Sequence, residues 1–447
     1  MRLPSSITVF SLSATVILSG CNTAPKDYEQ AARDHLDQVA YKYEANEQPD
    51  PTTLAAQPTP EDYLRFALLN HPQVAAAHAQ WRARIAAINP ARSLPDPKLT
   101  FQADIAKTVM SVMPGIMFDF MSTGKRDAMG RETAAGADVA QSQFEAATHQ
   151  VATQVRKAWI ELAYVEASQE LHAETANSID QSLAFAAADY ATAKRGIGLG
   201  QQIELQNERA EHHVHHAILG DRLQAAQIAF KSALGLSPTD RDPPWPEFSI
   251  TADTLPPAEI LWQRIEQRNP ELVTLRAMVE QSVAAVAVTE KAGTPDFSLG
   301  AMVDLKASPL MVRPTASLSL PIWRNRIADQ IAGANAQRDA STAIVASAEL
   351  DLAAQLARSL YDIHRIDHNL RYLDQTALPN LDRMAAAAAA DYASGMGNGV
   401  AITEVLTRRN LLLISQTDLL RDRADAVTDL LFLSADNTPT GFNFSQN

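Results

Sequence analysis

The sequence predicts a mainly α fold with a small β part, written twice in one chain. First, Asn70-His71-Pro72-Gln73-Val74 returns as Asn269-Pro270-Glu271-Leu272-Val273, Leu94-Pro95-Asp96 as Thr294-Pro295-Asp296, and Asp189-Tyr190-Ala191-Thr192 as Asp391-Tyr392-Ala393-Ser394. Trp159-Ile160-Glu161-Leu162 likewise matches Leu360-Tyr361-Asp362-Ile363, and the offset stays near 200 residues throughout. That period is far longer than a solenoid unit, so it reads as two fused half-molecules. Second, Pro114 to Pro238 contains no proline between them, and Val151, Val155, Ala158, Leu162 and Val165 recur at the 4,3 spacing of a helix seam. Third, Phe297, Leu299, Ala301, Val303 and Leu305 alternate with Ser298, Gly300, Met302 and Asp304, the period of a strand with one apolar and one wet face.

In chain order, residues 1–20 read as an address. An apolar run from Ile7 to Leu18 follows Arg2 and ends in Leu18-Ser19-Gly20-Cys21, too short to span a bilayer and the right length for a signal-peptide core. Leu-Ser-Gly-Cys resembles the lipobox of bacterial lipoproteins, which would make Cys21 the acylated first residue and a covalent lipid its one modification. Cys21 is the only cysteine, so no intrachain disulfide can form. Asn22 after it resembles the pattern of lipoproteins sent on to the outer membrane. Residues 21–58 contain Pro25, Pro49, Pro51 and Pro58 and read as an extended leader.

Repeat 1 then covers 59–249: a helix over 61–91, two strands within about 97–121, a long helix over 123–195, a glycine turn and a helix over 201–235. Repeat 2 covers 256–436: a helix over 258–292, strands within about 296–322, a long helix over 325–394, a second glycine turn and a helix over 400–433, with a tail at 437–447. At about 1.5 Å per residue each long helix would reach on the order of 100 Å, which no compact domain requires. Pro379 predicts a kink or short break in the second. Two shorter helices laid end to end match one long helix in each half.

The formal charge is −14, or −15 once residues 1–20 and their single Arg2 are removed, which argues against nucleic acid as a partner. No nucleotide-binding glycine loop, nucleophile elbow or metalloprotease signature occurs, so no enzyme and no bound cofactor are expected. No apolar run of eighteen residues follows the signal, so any membrane crossing would have to be by β-strands. Each strand has the length that crosses a bilayer when tilted, yet four cannot close a barrel, whose smallest membrane forms have eight. Either the chain oligomerises or these are two ordinary hairpins.

Two clusters suggest metal. His212, His213, His215 and His216 lie on a helix where His212 and His216 share a face at i,i+4 and could hold a divalent ion, though a solvated or packing role is the plainer reading. Met110, Met113, Met117 and Met121 bracket the second strand and raise copper as a ligand, though the plainer reading is that i,i+4 spacing in a strand merely keeps them on one face.

These residues together resemble the TolC-type outer-membrane efflux family over nearly the whole mature chain. The resemblance rests on Asn-Pro after the first helix of each half, Leu94-Pro95-Asp96-Pro97 before the first strand, Gly124-Lys125-Arg126 after the second, and Ala390-Asp391-Tyr392-Ala393-Ser394-Gly395 followed by Ile402-Thr403-Glu404-Val405-Leu406 and Asn410-Leu411-Leu412. It implies a homotrimer whose chains give four strands each to a twelve-stranded barrel in the outer membrane, above a periplasmic barrel of helical hairpins. It further implies a passive exit duct, reached through a periplasmic adaptor from an inner-membrane pump. Gly196, Gly198, Gly200, Gly395, Gly397 and Gly399 would form the periplasmic tip, and Glu204 and Glu404, at offset 200, an acidic constriction above it, with Arg209 and Arg409 about a turn away. The Leu-Pro-Asp-Pro and Gly-Lys-Arg elements look most like the heavy-metal branch, which points to metal cations as cargo. The alternative is a lipoprotein scaffold without a pore, which has no use for strands with a continuous apolar face.

Overall fold

The computed structural model describes residues 25–40, 50–54, 58–105, 109–191, 199–245 and 255–437. Residues 1–20, Cys21, Gly196, Gly198 and the tail beyond 437 lie outside them. The elements are α1 (Asp27–Ala40), α2 (Pro60–Asn70), α3 (Pro72–Ala86), α4 (Ile88–Arg92), β1 (Lys98–Ile105), β2 (Val109–Phe120), α5 (Thr123–Ala191), α6 (Leu199–Ala233), α7 (Ala258–Arg268), α8 (Pro270–Glu290), β3 (Phe297–Asp304), β4 (Met311–Leu318), α9 (Arg324–Tyr372), α10 (Leu378–Ala393) and α11 (Gly399–Leu433). The chain divides into two compact units that each draw on both repeats: 1–44, 77–144 and 274–346 form one, and 45–76, 145–273 and 347–447 the other.

Several expectations are corrected. Residues 27–40 of the supposed extended leader are helical. Within the first unit, α1 docks by burying Leu36 and Val39, by an edge contact of His35 on Trp81 at 5.5 Å, and by a Glu29–Arg92 ion pair at 2.8 Å. The helices expected over 61–91 and 258–292 are each interrupted. A residue before proline is pushed out of the helical region, and His71 (ψ 127°) and Asn269 (ψ 125°) break the helices there. Asn269 then caps α8, its Oδ1 accepting from the amides of Glu271 and Leu272 while its amide nitrogen donates to the Leu433 carbonyl. Pro379 makes no break: a single π turn, Leu373–Ala377, precedes α10 and the helix runs on. An extra residue in the turn absorbs the missing proline N–H.

One stretch, Ala258–Gly293, is long and apolar enough by length and composition to cross a membrane, with mean hydropathy 1.3 over its best window, where the sequence reading expected none. Arg276 and Glu280 interrupt it.

In the second unit, Thr59 and Asp62 form a reciprocal capping box that starts α2. That helix delivers Tyr63 into an aromatic core, with its ring edge-on to Trp159 at 5.4 Å and to Phe230 at 5.3 Å, and its hydroxyl donating to the Pro244 carbonyl. Along α9 the buried positions Ala348, Leu352, Leu356, Ile363, Ile366 and Leu370 continue the seam that the 4,3 spacing forecast.

Candidate functional site

The four strands form one antiparallel sheet in the order β1-β2-β3-β4. Its register sorts the side chains completely. Leu99 faces Ile116, which faces Ala301; Phe118 faces Leu299, which faces Ala316; Phe120 faces Phe297, which faces Leu318. Because side chains alternate, one face is apolar on all four strands and the other carries Lys98, Asp119, Ser298, Asp304, Arg313 and Ser317.

The exposure is opposite to that of a soluble sheet. On the apolar face Leu99 is 87% and Phe101 70% exposed, and the polar face holds the buried Ser111 and Asp304. Two ion pairs lie on it, Lys98–Asp119 at 2.7 Å with Ser298 donating to Asp119 at 2.6 Å, and Arg313–Asp304 at 3.0 Å, beside the exposed Asp104. Pro114 and Pro314 recur at offset 200, and Pro314 lies on the edge strand β4, where a missing N–H costs no pairing inside the chain. At the end of this sheet Lys125 of the Gly-Lys-Arg element bonds Asp296 of Thr-Pro-Asp at 2.6 Å. Two motifs read separately in the sequence are thus one contact between the repeats.

Gly200, Gly395, Gly397 and Gly399 belong to the other unit. Gly395 has φ +75°, a left-handed conformation that favours glycine and closes the turn after α10. Asn398 caps α11 by accepting from the Ala401 amide, and Gly399 lies so close to Phe185 that a Cβ there would stand 2.5 Å from the ring. A Cβ at Gly200 would meet, among the described residues, no side chain or other segment within 4 Å. Phe185, Ala186 and Val400 form a small core below the turn, where Ser182 hydrogen-bonds Thr403.

Glu204 and Glu404 are both exposed, and Glu404 lines a groove with Asp391, Ala401 and Arg408. The structure adds Glu208 between them. Burial raises the Glu208 carboxyl above its ordinary range, and the charges of Glu204, Glu211 and Glu404 raise it further. Sequence reading missed Glu208, though its i,i+4 spacing from Glu204 was the available signal. Arg209 pairs with Asp180 at 2.6 Å and Arg409 with Asp382 at 2.7 Å. These repeat-equivalent bridges tie each shorter helix to the one before it.

The histidines arrange differently from the i,i+4 pair. His212 is buried and His216 exposed. The partner is His172 of α5, with ring centres 5.7 Å from His212 and 5.6 Å from His215. Burial keeps the His172 and His212 imidazoles below their ordinary pKa. Among the described residues no group of three or more His, Cys, Asp or Glu side chains is arranged to hold a metal. The cluster packs two helices.

Residues 261–435 match the family model of outer membrane efflux proteins. The fold is similar over nearly the full chain to solved channels. CusC has TM-score 0.69 at 14% identity, covering 88% of this chain and 95% of that one. The CmeC outer membrane channel of Campylobacter jejuni has TM-score 0.70 at 13% identity, with 95% and 96% covered. The open-state MtrE outer membrane channel of Neisseria gonorrhoeae has TM-score 0.69 at 13% identity, with 89% and 98% covered. No curated protein matches the chain by sequence. The fold is therefore the one that these solved channels share. The match to the outer membrane efflux protein model lies in the second repeat.

Proposed function

We propose that three copies of this chain form the outer-membrane exit duct of a tripartite efflux system, passively passing substrate delivered by an inner-membrane pump through a periplasmic adaptor. The carrying observation is the inside-out sheet, whose apolar face is exposed and whose ion pairs lie on the other side. Strands β1 and β4 are its edges, and hydrocarbon offers their free N–H and C=O groups no partners. Twelve strands from three chains satisfy them and leave room for a water-filled lumen, whereas eight fill theirs with side chains. A pore-free scaffold gives no reason for this surface.

The apolar stretch 258–293, of whose best window only 17% is buried within one chain, is read as a helix that packs against neighbouring copies. Arg276 and Glu280 would be costly in lipid. Cys21 carries a diacylated thioether and an acylated amino group that tether the protein, since the barrel supplies its own apolar surface. The glycine turns form the end that meets the adaptor, and Glu204 with Glu404 gives six carboxylates around a cation-attracting constriction. Metal cations are the favoured cargo, on the strength of the Leu94-Pro95-Asp96-Pro97 and Gly124-Lys125-Arg126 elements.

Single-channel conductance of the purified protein in planar bilayers tests the duct. Stepwise cation-selective openings from a crosslinkable trimer are expected, with selectivity reduced when Glu204 and Glu404 are both replaced by Lys. A trimer that never conducts would overturn the duct and favour the scaffold. The intact mass of the mature protein tests the anchor, and an unmodified Cys21 would refute it.

A further inference from the structure

The polar face of the sheet contains methionines that neither its ion pairs nor the pore explains. The chain has 11 methionines including Met1, and Met113, Met117, Met302 and Met311 all fall on this one face by register. Met113 is 2% exposed and is, among the described side chains of the four strands, the one apolar residue that is buried. Met110, grouped with it in the sequence, falls at the irregularity in the β1–β2 register and is 64% exposed.

The arrangement around Met113 is specific. Met117 stands opposite Gly300, and Gly115 stands opposite Met302, so two methionines occupy one diagonal of a four-residue block and two glycines the other. Met113 follows Gly115 on the same face, two residues along β2. With no side chain at Gly115, Met302 lies across the gap: a Cβ there would stand 2.4 Å from its Cγ. Diagonal neighbours in a sheet have Cβ atoms roughly 7 Å apart, within reach of long side chains, so three thioethers can converge over the glycines. On the outer side of each glycine is a threonine, Thr100 beside Gly115 and Thr315 beside Gly300. Both hydroxyl oxygens are buried without a hydrogen-bond partner.

We infer that Met113, Met117 and Met302 form a binding pit for a soft monovalent cation of the Cu(I) or Ag(I) type. Thioether sulfur is a soft, neutral ligand that selects Cu(I) over hard divalent ions. Of the carboxylates on the same face, Asp119 and Asp304 are already held by Lys98 and Arg313, and the exposed Asp104, two residues along β1 from the partner of Met113, adds one negative charge, which matches a monovalent ion. Placing the pit in the lumen rests on the duct reading; its affinity for the ion does not.

The test titrates Ag(I) into the purified full-length protein in detergent, counting retained silver by mass spectrometry after equilibrium dialysis. One Met-dependent Ag(I) per chain is expected. It should vanish in the Met113→Leu/Met117→Leu/Met302→Leu variant, which conserves side-chain volume, and persist in Met384→Leu. Met302→Leu alone should bind at least tenfold more weakly, which serves if the triple variant does not fold. In the native protein, bound Ag(I) should slow peroxide oxidation of Met117 and Met302 but not of exposed Met396. Equal silver retention in wild type and the Leu variants, or Zn(II) binding lost with the same substitutions, would overturn the site. Conductance on the same preparation separates the readings: a conducting trimer without Met-dependent silver refutes the pit alone, and Met-dependent silver in a non-conducting protein refutes the duct alone.

Discussion

Phe101→Arg tests which face of the sheet meets lipid. Phe101 is on the apolar face opposite Pro114 and is 70% exposed in one chain. At ~200 Å2 for a phenylalanine and ~25 cal/mol per Å2, placing that 70% in hydrocarbon stabilises each chain by ~3.5 kcal/mol. An arginine forfeits this and adds ~2–4 kcal/mol of its own near the bilayer centre, less toward an interface. Three copies per barrel bring the loss to the order of 15 kcal/mol, enough to abolish assembly. Ser317→Arg places the same charge on the polar face, where the residue is already exposed, and should be nearly neutral. The assay is the yield of heat-resistant trimer in outer-membrane fractions, read by gel mobility without boiling. Equal trimer yield from the two variants would refute the assignment of faces.

Three further outcomes are expected. Arg92→Leu leaves the buried Glu29 with only the half-exposed Arg33 as ionic partner, so it should cost ~3 kcal/mol, while adding Glu29→Leu should recover most of it; chemical denaturation checks both, and an additive double variant would contradict the pairing. Gly399→Ala forces a Cβ to 2.5 Å from the Phe185 ring and should destabilise the tip by ~1–3 kcal/mol, seen as faster hydrogen exchange over 182–186 and 399–403; unchanged protection there would count against the close packing. His149 is partly buried, which lowers its pKa, and its Nδ1 donates to Asn437 Oδ1 at 2.6 Å while the Asn437 amide donates to Thr153 and the His149 carbonyl. The folded state prefers the neutral ring, so this contribution is complete above the unfolded pKa of ~6.5 and is lost below it at up to ~1.4 kcal/mol per pH unit. Melting between pH 7.5 and 5.5 should therefore fall more steeply in wild type than in His149→Gln, and parallel curves would refute it.

Periodicity alone made the long helices and the strand pairs legible, because a seam at 4,3 spacing and an alternation at two residues are local properties of the chain. The glycine turn expected after the second long helix was legible for the same reason, and Gly395 takes a positive φ there. What the sequence could not supply was everything set by packing across distance. The helix in the leader depends on a buried ion pair between residues 63 positions apart, and the histidine cluster on a partner, His172, that comes from another helix. Glu208 sits within the field of Glu404 only because α6 and α11 lie near each other. The methionines show the division most clearly: spacing put Met113 and Met117 on one face of a strand, but only the register of β2 against β3 sets Met302 over Gly115 between them. Hydrophobic pattern determines which way each side chain faces, whereas register and docking, which answer to the whole chain, decide what it meets there.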